Sequence, residues 1–412
     1  MRVSSALPPA LVLAPGNYMA PLGVMRSLRP LGVKVFATDS PTLTLWKVSR
    51  YCAGVFKIGE HGGPSVSDPE STLRELERAG EKLGGDAVLF PASDEWVLFV
   101  AENAERLASR YRFARLDPDL GMKLGNKQIL HTLATQAGVA VPDSVQPRSF
   151  AHAWQLAPTI AYPIVIKTAT TRSAGNQMVV VRALDQLDAA FAKMHDYGNL
   201  VFQRLIEGGP EDGWLFNGYF DRDSRCLASF VGQKLRQWPA DRGITVLAEA
   251  RRNPEVESGA VRFLTSIGYR GPVDMDFMRD PTDGTYRLLD LNPRLGGVFT
   301  LFTDLNGLDV ARAMYLDLTG QPVRQQGQRD GRRFVHEGGY LLATLKLHGR
   351  RAPAVAWRET RGAAMGTFRI LDPLPFLLQM WGTIRVHAGA RLGRLVRRRS
   401  SGQNQPSLTP AQ

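Results

Sequence analysis

The chain has 412 residues, 44% of them hydrophobic and 22% charged, the balance of a soluble globular protein with room for two or three domains. Cys52 and Cys226 are its only cysteines and no apolar run reaches the roughly 18 residues of a membrane span, which argues against a disulfide scaffold, a zinc site and an integral membrane protein. The net charge of +12 is local: from Arg324 onward there are 16 Lys and Arg against 4 Asp and Glu, and the rest balances, so a nucleic-acid-binding core is not expected and a basic appendage is.

Residues 11–39 alternate strand, turn, helix and strand. Leu11-Val-Leu13 is too short for a signal peptide's apolar region and reads as a strand. A turn at Ala14–Asn17, a helix from Ala20 to Leu31 and a strand at Val33–Ala37 complete a βαβ opening. The Gly16…Gly23 spacing is not Gly-x-Gly-x-x-Gly, which leaves a nicotinamide site without support. Ala87–Phe90 is a buried strand that leads through Pro91-Ala-Ser-Asp-Glu95 into a helix. Asp94 and Glu95 stand at a strand's C-terminal end, where open α/β sheets bind ligands. Helix capping by Ser93 or Asp94 explains the same residues.

Asp117–Leu124 reads as a linker and Asn126–Gly138 as a helix. A strand at Tyr162–Lys167, a polar loop at Thr168–Asn176 and a strand at Met178–Val181 follow. After them come a helix at Asp185–His195 and strands at Leu200–Ile206, Trp214–Phe220 and Cys226–Val231. His131, His152 and His195 fall on helical patterns and are expected to be structural. No Ser/His/Asp or Cys/His arrangement supports a hydrolase.

Val273-Asp-Met-Asp-Phe277 and Leu288-Leu-Asp-Leu-Asn-Pro-Arg294 read as two strands joined by a hairpin turn at Asp280–Gly284. Asp290 and Asn292 share a face, and Asp276 faces them from the other strand. These are hard oxygen ligands, the kind Mg²⁺ accepts together with phosphate oxygens. Arg294 keeps the same parity and can reach a phosphate or carboxylate. The alternative is a solvated hairpin face.

This block resembles the metal-binding signature of the ATP-grasp superfamily, in which a carboxylate-bearing strand precedes Glu-x-Asn-Pro-Arg. Here Asp290 stands in the Glu position, one methylene shorter. The order of segments matches too. Lys127 opens a helix, Lys167 ends a strand before a hydroxyl-rich loop with Ser173 and Gly175, and a Val-x-Gln-x-x-Ile-x-Gly strand precedes the acidic cluster. The resemblance implies a nucleotide between two lobes, with Lys127 and Lys167 at its phosphates and Gln203, Arg204, Leu205 and Ile206 along its adenine. The backbone of the Ser173/Gly175 loop can cradle phosphate oxygens. Ala20–Leu28, Val48–Tyr51, Phe90–Trp96 and Gly232–Pro239 resemble the ATP-dependent carboxylate–amine ligase branch.

The expected fold class is therefore α/β and α+β. A Rossmann-like front (pre-ATP-grasp) domain over 1–118 precedes an ATP-grasp module over 119–320, with lobes of about 119–200 and 201–320. A basic C-terminal extension over 321–412 follows. The cofactors implied are ATP and Mg²⁺, with Mn²⁺ as the alternative ion, held by Asp276, Asp290 and Asn292. The substrates implied are a small-molecule carboxylate, activated as an acyl phosphate, and an amine; no nucleic acid is expected. Arg294, Lys234 or Arg236 would hold the intermediate. Lys234 and Arg236 share strand parity, which a basic edge that deters aggregation also explains. The function of a different class is a non-catalytic ATP-binding interaction protein peripheral to the membrane.

After Pro373 the pattern changes. Leu377, Trp381, Ile384, Ala388, Leu392 and Leu395 step by three or four and predict one amphipathic helix over about 374–399, accompanied by arginines. Such a helix fits an anionic membrane surface, or packs on the enzyme or a protein partner. Cytoplasmic residence, peripheral at the inner membrane face, is the corresponding expectation. Ser400–Gln412 is expected to be disordered.

Overall fold

The computed structural model describes residues 7–15, 18–169, 178–194, 200–240 and 243–385. The first unit runs β1 (Ala10–Leu13), α1 (Ala20–Leu28), β2 (Val35–Thr38), β3 (Cys52–Phe56), α2 (Pro69–Lys82), β4 (Ala87–Pro91), α3 (Asp94–Glu102), α4 (Ala104–Leu107) and β5 (Tyr111–Arg112). All its strand pairs are parallel, in the order β3-β2-β1-β4-β5, as the βαβ opening predicts. β1 is buried at every position, as a strand covered on both faces must be.

The segment read as a linker is helical instead. Asp117 accepts from the backbone N–H of Asp119 and Leu120 and Pro118 takes the first helical position, so α5 (Pro118–Leu124) starts on a strong cap. Then come α6 (Lys127–Gln136), β6 (Ser144–Val145), α7 (Phe150–Leu156), β7 (Ile164–Thr168), β8 (Met178–Val181), α8 (Leu187–Phe191) and β9 (Leu200–Arg204). These strands form an antiparallel sheet, β6-β9-β7-β8, with its own apolar core that includes Ile164, Ile166, Phe191 and Phe202.

The remaining strands are β10 (Gly213–Phe220), β11 (Cys226–Trp238), β12 (Ile244–Ala250), β13 (Gly271–Arg279), β14 (Tyr286–Asn292), β15 (Arg333–Val335) and β16 (Ala364–Met365). They make one seven-stranded sheet, β14-β13-β10-β11-β12-β15-β16. Its helices are α9 (Pro254–Ser266), α10 (Val310–Leu318), α11 (Glu337–His348) and α12 (Ala352–Thr360), followed by α13 over residues 374–385.

Residues beyond 320, expected as an extension, add two strands to this sheet. β15 pairs with β12, Val335 opposite Leu247, and β16 pairs with β15. The edge of β12 is thus covered by the segment expected to be an appendage. Asp372 is fastened to the first unit: its carboxylate accepts from Arg26 at 3.0 Å, Ser49 Oγ at 2.8 Å and the Arg50 N–H at 3.0 Å. One apolar cluster, with Val12, Val24, Phe299, Tyr315 and Phe334, runs from the first sheet into the large one. Gly23 is where α1 makes this approach; a Cβ there would stand 2.6 Å from the Phe299 ring. The first unit and the large sheet therefore share a core that the small sheet lacks.

Candidate active site

The expected hairpin forms as β13 and β14. Asp276 lies opposite Asp290 and Asp274 opposite Asn292. The pairing slips after Asp276, because Phe277 faces Leu288 and leaves Leu289 extra, a bulge that re-aims the end of β14. Asp274 went unrecognised in the sequence, although it shares the parity of Asp276. It is buried, accepts from Asn217 Nδ2 at 2.8 Å and packs so close to Gly296 that a Cβ there would meet its Oδ2 at 2.3 Å. Burial and the Asp276 charge push its carboxyl up to about 7, against Arg294.

Each facing carboxylate holds a lysine. Lys127 opens α6, whose cap is Asn126, and its Nζ is 2.9 Å from Asp290 Oδ1. Lys234 sends its Nζ from β11 to Asp276 Oδ1 at 2.7 Å. Gly213 on β10 clears its path, since a Cβ there would stand 3.0 Å from Lys234 Cδ. Lys167, near the end of β7, joins the group around Asp290. Burial and then the Lys127 charge push its ammonium down to about 8, and Asp290 opposes them. Burial alone would raise the Asp290 carboxyl, but Lys127 and Lys167 hold it below its usual value. His131 lies beneath this cluster, with Nδ1 3.0 Å from Ser144 Oγ; burial and then Lys167 and Lys127 push it down to about 4, so it is a neutral core residue.

Arg294 bridges from the hairpin to the first unit. Its Nε is 2.9 Å from Asp94 Oδ1, its Nη2 is 3.3 Å from Asn292 Oδ1, and it lies 5.4 Å from the centre of the Tyr18 ring. At the Ser93–Glu95 corner the capping reading holds: Ser93 accepts from Trp96 N at 3.4 Å as the cap, and Asp94 pairs with Arg294.

Two cavities flank the hairpin. One of about 390 Å³ is lined by Glu95, Lys127, Ile129, Asp290 and Asn292. The other, about 410 Å³, is lined by Tyr18, Lys234, Asp274, Asp276, Arg294 and His336.

Among the described residues, the remaining expected ones line neither cavity. Arg236 does not join Lys234. The pairing with β12 slips between them, so two-residue parity fails, and Arg236 bonds Glu359 at 2.8 and 3.0 Å and Thr344 at 3.1 Å. Arg204 spends its guanidinium on Asp280, which also accepts from Arg287 at 3.0 Å, and so ties β9 to the hairpin turn. Gln203 is buried on β9 with Oε1 unpaired among the described residues. Leu205 donates its N–H to the Pro163 carbonyl at 2.8 Å and Ile206 is buried. Ser173, Gly175 and His195 lie outside the described residues.

Among the described residues no three His, Cys, Asp or Glu side chains converge as a metal cage. The donors present are the Asp276 and Asp290 carboxylates and the Asn292 amide oxygen. That set fits a hard divalent cation which completes its shell from ligand oxygens and water. The lysines drawn to both carboxylates mark where positive charge is favoured.

No family model matches the chain. It is 22% identical over 241 residues to the D-aspartate ligase of Enterococcus faecium (strain Aus0004), covering 55% of this chain and 57% of that protein. It is 24% identical over 275 residues to biotin carboxylase 1 of Bacillus subtilis (strain 168), covering 60% and 58%. The chain thus spans under two thirds of the length of these relatives. Among solved structures it is similar to an ADP complex of N5-carboxyaminoimidazole ribonucleotide synthetase, with TM-score 0.64, 13% identity and 85% and 87% of the two chains covered. Biotin carboxylase from Campylobacter jejuni gives TM-score 0.61, 17% identity and 80% and 74% coverage. L-amino acid ligase from Bacillus licheniformis gives 0.55, 16%, 78% and 78%. The chain has the fold of these solved structures, the ATP-grasp fold.

Proposed function

We propose that this protein is an ADP-forming ligase that joins a small-molecule carboxylate to an amine. The observation that carries the reading is the facing pair Asp276 and Asp290, each with its own lysine, at a point where Arg294 meets Asp94 of the first unit. ATP is the phosphoryl donor. Mg²⁺, or Mn²⁺ in its place, held by Asp276, Asp290 and Asn292, supplies charge neutralisation at the transferring phosphate.

Lys127 and Lys167 bind phosphate oxygens, and the end of β9 at Gln203–Ile206 borders the base. A substrate carboxylate oxygen attacks the γ-phosphorus, the bond to the β-phosphate bridging oxygen breaks, and ADP leaves. Lys234 and Arg294 face the second cavity and hold the acyl phosphate. The amine nitrogen then attacks the carbonyl carbon, loses its proton, and inorganic phosphate leaves. Positioning and electrostatic stabilisation do this without a covalent side-chain nucleophile. Residence is cytoplasmic, with α13 as the point of contact with a membrane surface or a protein partner.

The test is ADP release across a panel of acids and amines. Release should require both partners, and folded Asp276→Asn and Asp290→Asn should lose about a thousandfold in turnover. ADP formation indifferent to any acid, or a folded variant with near-normal turnover, would refute the ligase reading.

A further inference from the structure

The outer face of α13 carries what the ligase chemistry does not use. Leu374, Leu377, Trp381 and Ile384 recur at helical spacing and are 55%, 56%, 66% and 58% exposed. Ile370, just before the helix, is 84% exposed. The inner face is built differently. Phe376 packs edge-on against Phe368 at 5.4 Å, and Gln379 bonds Thr367 Oγ1 at 2.9 Å and approaches His336 Nε2 at 3.3 Å. Thr383 lies against Gly338, where a Cβ would meet its Oγ1 at 2.5 Å. The helix is therefore fixed to the enzyme by one side and presents a row of large apolar side chains on the other. Exposed apolar rows of this size mark interaction surfaces.

Charge selects the occupant. No Asp or Glu follows Asp372 in the sequence, whereas six arginines lie between Arg385 and Arg399. Arg369, next to Ile370, and Arg385, next to Ile384, are both exposed. An apolar stripe with a tryptophan, bordered by arginines and lacking acids, complements a surface that is apolar beneath and negative above. No helix among the described residues is long and apolar enough to cross a membrane.

We propose that α13, with Ile370, docks the protein on an anionic phospholipid membrane. The proposal deepens the contact assigned to α13 above and does not depend on the ligase chemistry, because the docking row faces away from His336 and the cavity it lines.

The full chain is sedimented with vesicles of equal parts phosphatidylglycerol and phosphatidylcholine, and with phosphatidylcholine alone. Binding should require the anionic lipid and weaken severalfold between low and high salt. Leu377→Ser with Trp381→Ser, checked for fold by circular dichroism, should lower the partition coefficient by about tenfold or more. ADP release measured without vesicles should not change in that variant, which separates this test from that of the reaction. Absence of sedimentation with anionic vesicles at low salt, or equal binding to neutral vesicles, overturns the proposal. Concentration-dependent self-association that the double variant abolishes, without vesicle binding, assigns the row to a second copy and overturns it as well.

Discussion

Lys127 and Asp290 are 163 residues apart in sequence and 2.9 Å apart in space. The lysine side chain is nearly buried, so its charge is balanced by Asp290 rather than by water. A nucleotide phosphate entering here would find a cation already oriented. Lys127→Ala should therefore weaken MgADP binding by about tenfold or more, measured by calorimetry. Unchanged affinity would remove Lys127 from the phosphate site.

Lys167 makes a separate prediction about protons. Its ammonium is pushed down to about 8, from an ordinary value of 10.5, by burial and then by Lys127. At a pH somewhat above 8 the free protein therefore holds Lys167 largely neutral. An arriving phosphate favours the charged form, so binding should take up a proton. The binding enthalpy at about pH 8.5 should vary with the ionisation enthalpy of the buffer, and Lys167→Met should abolish most of that dependence. A buffer-independent enthalpy in the unaltered protein would count against phosphate contact at Lys167.

Lys234 and Arg236 should separate cleanly. Lys234→Ala removes the partner of Asp276 and a group facing the cavity, so turnover should fall by about a hundredfold or more. Arg236→Ala strips Glu359 of its cationic partner and leaves it only the Tyr340 hydroxyl, with the Arg236 and Glu359 side chains largely buried, and should cost roughly 3 kcal/mol of stability while the folded enzyme keeps its turnover. Comparable losses of turnover in both folded variants would show that Arg236 acts at the site after all.

Asp280 is nearly buried, and although burial acts to raise its carboxyl, hydrogen bonds from Arg204, Thr282 and Arg287 hold it well below the ordinary carboxylate range. A depressed native value adds stability above the unfolded value near 4, and that stability is lost as pH falls toward the native one. Asp280→Asn should cost roughly 3 kcal/mol near neutrality, and its stability gap to the unaltered protein should close below about pH 4 in urea melts. A gap constant with pH would mean that the ion pairs contribute little.

The hairpin was legible because its signals are local. Turn chemistry at Asp280–Gly284 and two-residue parity suffice to bring Asp276, Asp290 and Asn292 together. Asp274 obeys the same parity and could have been found with them. Arg236 could not, because one slip in the β11–β12 pairing and a partner 123 residues away decide where it turns. The joining of β15 and β16 to the large sheet was equally hidden. Strands of three and two residues carry almost no pattern, and a positive charge count says nothing about which edge they cover. The cap at Asp117 was readable, since Asp followed by Pro at the first helical position is a helix-start signal.

Asp372 gives the chain an unusual order of dependence. Its carboxylate sits among Arg26, Ser49 and the Arg50 backbone, so residues late in the sequence complete the burial of residues near its start. A chain emerging in order would hold the Arg26 guanidinium without its counter-charge until some 346 further residues had followed. The first unit is thus made before the segment that completes it, and loss of the chain beyond Met365 would leave the Arg26 guanidinium and the Ser49 hydroxyl without the Asp372 carboxylate.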